Sequence, residues 1–112
     1  MERKKVIDVL RHVNKLLVEK KYDQLYEENF NKEGNFGALW LNIEEYGGQI
    51  TLPPEEALNN PGFMEIYEED NDASIDFDLW IDNEESDLTL SLHIVKKVDN
   101  KYIFNIEEIH IQ

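Results

Sequence analysis

The spacing of apolar residues changes once along this chain, and no other feature of the sequence constrains the fold as strongly. Up to about residue 46 the apolar residues recur every three or four positions, which is the period of an amphipathic α-helix. From about residue 63 they recur at every second position, the period of a strand with one buried face. Helices followed by a run of strands predict an α+β fold. We expect two to three N-terminal helices packed on one face of a curved antiparallel sheet of about four strands, in a single domain spanning residues 1–112.

The first half of the chain carries the signals for helix starts and stops. The first helix is predicted over residues 4–20, and a short second helix over residues 22–30. Asn35 is placed to cap a third helix, which Gly47-Gly48 ends in a left-handed conformation. Prolines and a glycine bracket residues 53–62, so this stretch is expected to be irregular. The apolar stripe of the first helix consists of Val6, Val9, Leu10, Val13, Leu16 and Leu17.

The second half of the chain alternates between apolar and polar residues. This pattern predicts a strand at residues 63–67 and a meander with strands at 74–82, 87–98 and 102–111. The side chains expected to point into the core are Ile75, Phe77, Leu79, Leu88, Leu90, Leu92, Phe104 and Ile106. Helices followed by such a meander have the layout of cystatin-like and nuclear-transport-factor-like domains, a likeness that carries no function.

The register of the first hairpin follows from matching apolar residues across the two strands. Pairing Leu79 with Leu90 sets core residues opposite each other, and it places Asp76 beside His93 on the outer face. A carboxylate beside an imidazole can orient a general base. It is also an ordinary cross-strand pair on a solvated face, and the sequence favours that second interpretation.

The register of the second hairpin depends on the loop and on a change of phase. A three-residue loop at 99–101, with Asn100 or Lys101 near the left-handed region, pairs Ile94 with Ile106. The next apolar residues after Ile106 arrive one position late. We therefore expect a β-bulge at Glu107-Glu108, because one extra residue restores the inward face.

Charge is unevenly distributed along the chain. The sequence holds 25 acidic and 11 basic residues, for a net charge of −14 at pH 7. Eight of the basic residues lie in the first 32 positions, whereas the segment between Lys32 and Lys96 contains sixteen acids and no Lys or Arg. Such a chain repels nucleic acid and anionic membranes, so we expect neither as a partner. A basic protein is the expected partner, and self-association through the basic first helix is an alternative.

Several classes of site are disfavoured by the composition. The chain has no cysteine, which rules out disulfides and thiolate metal sites. Asp70 to Asp78 invite a calcium site, but the twelfth position of an EF-hand loop is Ile81 instead of Glu. His12 is expected either to be exposed or to pair with Asp8 on the first helix. We expect no catalytic residue, cofactor or metal, and the N-terminus has no apolar core typical of a signal peptide, which predicts a cytoplasmic protein.

The outer positions of the 74–82 strand are the strongest candidate for a binding surface. Trp80 falls there between aspartates, as an interface anchor would, unless helices or a terminal segment cover it. The predicted partner-binding residues are Asp76, Asp78, Trp80, Asp82, Asp87 and His93. The favoured function is a non-enzymatic, acidic protein-binding domain, of which immunity proteins that neutralise toxins are one type.

Two other functions stay open on the sequence alone. One is a small-molecule or enzymatic site in a pocket between helices and sheet, with Tyr22, Tyr26, Trp40 and Tyr46 as candidate lining residues. The other is a homo-oligomeric accessory module.

A set of short motifs spans most of the chain from about residue 40 onward. They are Tyr46-Gly47-Gly48, Pro53-Pro54, Leu79-Trp80 and Ser86-Asp87-Leu88-Thr89-Leu90. In this combination the sequence resembles a family of small bacterial domains of unknown function. Members of that family often carry Gly-Arg before the Ser-Asp pair, where this chain has Glu84-Glu85. The resemblance implies a domain of this kind and implies no activity.

Overall fold

A computed structural model describes every residue of the chain, Met1 to Gln112, and it confirms an α+β fold with a curved, open sheet. The helices are α1 (Arg3–Val18), α2 (Tyr22–Glu28), α3 (Phe36–Tyr46) and α4 (Glu55–Asn59). The strands are β1 (Ile50–Thr51), β2 (Phe63–Tyr67), β3 (Asp72–Ile81), β4 (Glu84–Lys96) and β5 (Tyr102–Ile111). None of the helices combines the length and the apolar character needed to cross a membrane.

The helices begin and end close to the predicted residues. The Asn35 side chain accepts a hydrogen bond from Ala38 N at 3.1 Å, which confirms it as the cap of α3. Gly47 has a φ of 87° as expected, but its ψ of 168° is extended, so the cap is not the left-handed type. The 53–62 stretch was wrongly predicted to be irregular, since α4 lies within it. One helical turn is too short to show a clear apolar period.

The five strands form one antiparallel sheet in the order β1-β3-β4-β5, with β2 also paired to β3. β4 occupies one side of β3, so β1 and β2 share the other side. All eight side chains predicted to point inward are buried. They join the apolar stripe of α1, except the partly buried Val9, in a cluster of 21 buried apolar residues. This cluster fixes α1 against the inner face of the sheet.

The first hairpin is displaced by two residues from the predicted register. The structure pairs Phe77, and not Leu79, with Leu90. The turn consists of Asp82 and Asn83 alone, with φ values of 51° and 66° that suit a tight two-residue hairpin turn. A slip of two residues leaves every side chain on its own face. The core prediction was therefore correct although the pairing was wrong.

An irregularity near this turn accommodates the shorter loop. Residues Ser86–Leu88 of β4 lie opposite Leu79 alone, and the Ser86 hydroxyl donates a hydrogen bond to Leu79 O at 2.6 Å. The same hydroxyl accepts from Leu88 N at 3.2 Å. The side chain thus satisfies backbone groups that the ladder leaves unpaired at this point.

The second hairpin is also displaced by two residues, while its bulge is confirmed. Ile94 pairs with Phe104 instead of Ile106, because the loop is longer than expected and extends over residues 97–101. Asn100 adopts the predicted left-handed conformation, with a φ of 64°. The register shifts at Glu107, after which Ile109 is fully buried. Ile111 is 60% exposed, so the inward face ends at Ile109, two residues earlier than expected.

Candidate functional site

The outer face of the sheet, opposite α1, carries the densest negative charge that the strands present. Residues paired directly across antiparallel strands share a face, so the register places the outward side chains. The acidic residues among them are Glu65, Asp72, Asp76, Asp78, Glu85 and Glu108, and we call this surface the acidic face. No Lys or Arg is among the outward-facing strand residues. The acidic face therefore has no cation of its own except the imidazoles of His93 and His110.

The three aspartates of β3 each take a hydrogen bond from β4. Asp76 accepts from the Ser91 hydroxyl at 2.7 Å, and Asp78 accepts from the Thr89 hydroxyl at 2.8 Å. A hydroxyl donor orients a carboxylate without neutralising its charge. The aspartates are thus held in a row along β3 as fixed acceptors.

His93 was predicted to lie beside Asp76, and that prediction was wrong. Its Nε2 lies 3.1 Å from Asp72 Oδ2, and Ser91 takes the place beside Asp76. The two-residue displacement of the hairpin accounts for the change of partner. The ring of Phe30 packs edge-on against the His93 ring, with centroids 5.8 Å apart. The imidazole is therefore a fixed part of the surface, oriented by a carboxylate and an aromatic ring.

Exposed aromatic side chains flank the acidic face on two sides. Phe63 and Tyr67 lie on β2, where they pair with Asp76 and Asp72, and they are 44% and 39% exposed. Phe30 is 40% exposed at the opposite edge of the sheet. Aromatic side chains beside charged groups are typical of protein interfaces. The sequence analysis did not identify these aromatics, although Phe63 and Tyr67 are in phase with the outer positions of their strand.

Tyr67 is tied to the acidic face through its hydroxyl. The hydroxyl donates a hydrogen bond to Glu65 Oε2 at 2.9 Å. That hydrogen bond is the main reason that the pKa of Tyr67 is raised, with burial and the negative charges of Glu65 and Asp72 adding to it. The phenol therefore stays neutral and holds Glu65 in place.

Trp80 lies on the outer face, but its ring is only partly accessible. The segment around α4 covers one side of it, where Ala57, Pro61 and Gly62 line a cavity of about 110 Å³ together with the Trp80 ring. Its Nε1 is buried and has no hydrogen-bond partner. The cover is thus local and does not come from the N-terminal helices or from a terminal segment.

Asp82 and Asp87 are positioned apart from the other predicted binding residues. Asp82 sits in the hairpin turn, where its Oδ1 accepts a hydrogen bond from Gln49 N at 3.0 Å. Asp87 accepts from the Tyr46 hydroxyl at 2.7 Å and so faces α3. That hydrogen bond is the main cause of the raised pKa of Tyr46. Of the six predicted residues, the structure brings together Asp76, Asp78, Trp80 and His93.

A separate cavity of about 370 Å³ lies between α1, the end of α2 and β5. His12 Nε2 lies 2.6 Å from Glu28 Oε1 in its wall. His12 is exposed, which confirms one of the two alternatives, while the alternative pairing with Asp8 is absent because Asp8 accepts a hydrogen bond from Arg11. Burial alone raises the pKa of Glu28, but hydrogen bonds from Gln24 and His12 outweigh it and leave that pKa lowered.

Of the four aromatics predicted to line a pocket between helices and sheet, Tyr46 borders a cavity of about 360 Å³ between α3 and strands β4 and β5, whereas the other three pack between α2 and α3. Tyr22 stacks on Trp40 with ring centroids 4.8 Å apart, and Tyr26 meets Phe36 edge-on at 4.9 Å. These rings hold α2 against α3, and Tyr46 reaches β4 through Asp87. No group of three or more His, Asp or Glu side chains is placed to hold a metal ion.

Comparison with other proteins gives one match. No curated protein and no solved structure matches the chain. One family model, for a domain without a known function, matches residues 14–112. The match leaves out only the first thirteen residues and covers α2, α3, α4 and all five strands. The chain therefore belongs to the family described as Domain of unknown function (DUF7668).

Proposed function

We propose that this domain is a protein-binding module whose acidic face engages a cationic surface of a partner protein. One observation carries the proposal: the row Asp72, Asp76 and Asp78 is held by neutral or imidazole donors on a face without Lys or Arg. Negative charge that is not neutralised within the protein remains available to a partner. We infer no catalytic role for these residues.

The geometry supports fast and selective binding to a basic surface. Asp76 and Asp78 are two residues apart on one strand face, a spacing of roughly 6.5–7 Å, and Asp72 lies four residues before Asp76. Neighbouring strands lie about 4.8 Å apart. Opposite charges at such a surface raise association rates by about 10 to 1000-fold at low salt. Exposed Phe63 and Tyr67 add apolar contact area at the margin of the charged row.

A toxin-neutralising role of the immunity type is one specific form of this proposal. Toxins that act on nucleic acids present cationic surfaces to the phosphate backbone. A small domain with a net charge of −14 and a preorganised acidic face is suited to cover such a surface.

Affinity capture with matched baits tests the proposal. The test bait carries Asp72→Asn, Asp76→Asn and Asp78→Asn, which remove three charges and keep an oxygen acceptor for each donor. The control bait carries Asp23→Asn, Glu27→Gln and Glu33→Gln, which remove three exposed charges from the helical side of the molecule. We expect a basic partner that the wild type and the control bait capture equally and that the test bait loses. A partner captured equally by all three baits would overturn the proposal.

A small-molecule site between α1 and β5 is a second candidate function. It is favoured by the 2.6 Å contact between His12 and Glu28 inside a concave surface that also holds Lys5 and Tyr102. Screening polar metabolites by NMR tests it. Ligand-induced shifts that centre on His12 and vanish in Glu28→Gln would support it, and shifts spread evenly over the chain would reject it.

A further inference from the structure

The two edges of the sheet differ in whether other elements hydrogen-bond their outward backbone groups. At the β5 edge, Phe104 O accepts a hydrogen bond from Phe30 N at 2.9 Å, and Ile106 N donates to the Asn29 side chain at 2.7 Å. Farther along, Ile109 O accepts from the Asn42 side chain at 2.8 Å. The end of α2 and α3 thus satisfy three backbone groups along the β5 edge. Such covering is how proteins prevent a sheet edge from pairing with another chain.

The β2 edge has no such cover. β2 pairs with β3 through five consecutive residues and pairs with no other strand. No hydrogen bond from any other element reaches the backbone of residues 63–67. The strand contains no proline, no lysine and no bulge, three of the devices that commonly block an edge, and its one charged residue is Glu65. Its outward N–H and C=O groups are therefore free to pair.

We infer that the free edge of β2 binds an extended segment of the basic partner as an additional strand. Strand addition of this kind uses main-chain hydrogen bonds for affinity and alternate side chains for selectivity. The inference rests on the proposed function, because it takes the partner to be cationic, and it adds where and how that partner binds.

The side chains of β2 specify the chemistry of the added strand. On the outer face, the neighbour of the added strand is Glu65, flanked by Phe63 and Tyr67. A Lys or Arg at that position pairs with the carboxylate and lies near aromatic rings. On the inner face, the neighbours are the half-buried Met64 and Ile66. The partner segment therefore alternates cationic residues with apolar residues.

A second copy of this chain does not fit the same edge. Pairing β2 with β2 around a twofold axis brings two Glu65 side chains onto one face of a continuous sheet. Each of the two molecules also carries a net charge of −14. Like charges at that spacing oppose association. Charge complementarity thus selects a cationic segment over a second copy.

A capped eight-residue peptide that alternates Lys and Val is the probe for this inference. Two peptides of the same composition serve as controls. One carries N-methyl groups on all its amides and cannot donate hydrogen bonds, and the other has its four Lys and four Val in separate blocks. We expect the alternating peptide to bind with a dissociation constant at least about tenfold lower than either control, since only it can extend the sheet. It should also slow hydrogen exchange of the outward amides of β2.

Two charge-reversal variants locate the peptide on the molecule. Glu65→Lys changes the centre of the free edge, and Glu107→Lys makes the same change in charge at the covered β5 edge. Both residues are exposed, so both variants should fold. We expect Glu65→Lys to weaken binding of the alternating peptide by about tenfold or more and Glu107→Lys by no more than about twofold.

The outcomes separate this inference from the proposed function. If all three peptides bind equally well, or if none binds at about 1 mM in low salt, strand addition at β2 is overturned. Neither result affects the capture experiment, which tests the acidic face without reference to an edge. Conversely, a selective peptide would leave strand addition standing even if neutralising the aspartates of β3 had no effect on capture.

Discussion

Asp76 accepts a hydrogen bond from the Ser91 hydroxyl across the β3–β4 pair, at 2.7 Å. The bond fixes a carboxylate on the outer face by a neutral donor, so the position of the charge is set while the charge itself is retained. Asp78 and Thr89 repeat the arrangement one row along. If these carboxylates meet a cationic partner, their role should be visible in rates as well as in affinity.

Neutralising Asp76 and Asp78 together should slow association with a cationic partner. For Asp76→Asn combined with Asp78→Asn, we expect the association rate with a captured basic partner to fall about 3 to 10-fold at low salt. The dissociation rate should change by less than about twofold, because long-range attraction acts mainly on the encounter. Stopped-flow measurement at several salt concentrations checks this. In about 1 M salt, where the Debye length is about 3 Å, the difference should disappear, and a difference that persists there would contradict the electrostatic account.

Leu90 tests the packing of the core. It is fully buried and pairs with Phe77 on one side and Ile109 on the other. Leu90→Ala should lower the free energy of unfolding by about 2–5 kcal/mol, since it removes apolar contacts and leaves a cavity. Val98→Ala is the matched control, because Val98 is fully exposed in the β4–β5 loop and should lose less than about 0.5 kcal/mol. Urea denaturation measures both.

Alternation of apolar residues was sufficient to assign faces but not pairings. A slip of two residues keeps Phe77, Leu79 and Leu90 in the core, so the apolar pattern fits both registers equally well. The deciding feature is the turn, where Asp82 and Asn83 take positive φ values. The Asp-Asn dipeptide is a sequence signal for a tight turn, whereas no sequence pattern predicts the bulge in β4 that accompanies it.

For the candidate site, too, the sequence predicted which face the residues lie on but did not predict their neighbours from other elements. The alternation of side chains along β3 predicts that Asp76, Asp78 and Trp80 share one face, and the structure agrees. The nearness of Phe30 to His93 depends on the chain crossing the β5 edge after α2, a tertiary contact without a local pattern. The partial cover of Trp80 depends on α4 in the same way.

Two adjacent glycines should differ sharply in their tolerance of a side chain. Both have positive φ, and Gly47 lies in an extended region that is almost restricted to glycine, so either replacement by Ala meets a backbone penalty of about 1–3 kcal/mol. A Cβ on Gly47 would meet no atom within 4 Å, whereas a Cβ on Gly48 would lie 2.6 Å from Cγ2 of Ile81. Gly48→Ala should therefore destabilise the fold by at least about 1 kcal/mol more than Gly47→Ala. Equal midpoints in thermal unfolding would contradict the close approach of β1 and β3.

Acid should weaken two contacts of the helices. The pKa of Glu55 is lowered by hydrogen bonds from Arg11, and that of Glu28 by Gln24 and His12 against the opposing effect of burial. A carboxyl whose folded pKa lies below its unfolded value stabilises the fold above the unfolded value, here 4.5, and loses that effect as pH falls through the folded pKa. Stability should therefore decline below about pH 4.5, and the decline should be shallower in Glu28→Gln combined with Glu55→Gln. Urea midpoints measured across this range check the slopes.

Asn29 should be the residue on which the covered β5 edge depends most. It is almost fully buried, and its side chain accepts a hydrogen bond from Ile106 N at 2.7 Å while donating to Asn31 O and to Asn105 Oδ1. Asn29→Ala leaves a buried backbone N–H without a partner, which should cost about 1–3 kcal/mol.

Asn105→Ala is the matched control for this last substitution. It removes only the 2.7 Å side-chain bond between the two asparagines and leaves Ile106 N paired with Asn29. We expect faster hydrogen exchange at the Ile106 amide in Asn29→Ala and little change in Asn105→Ala, because only the first variant opens the edge of β5. If the Ile106 amide stays protected in Asn29→Ala, the edge is closed by something other than this side chain, and the contrast between the β5 and β2 edges loses its main support.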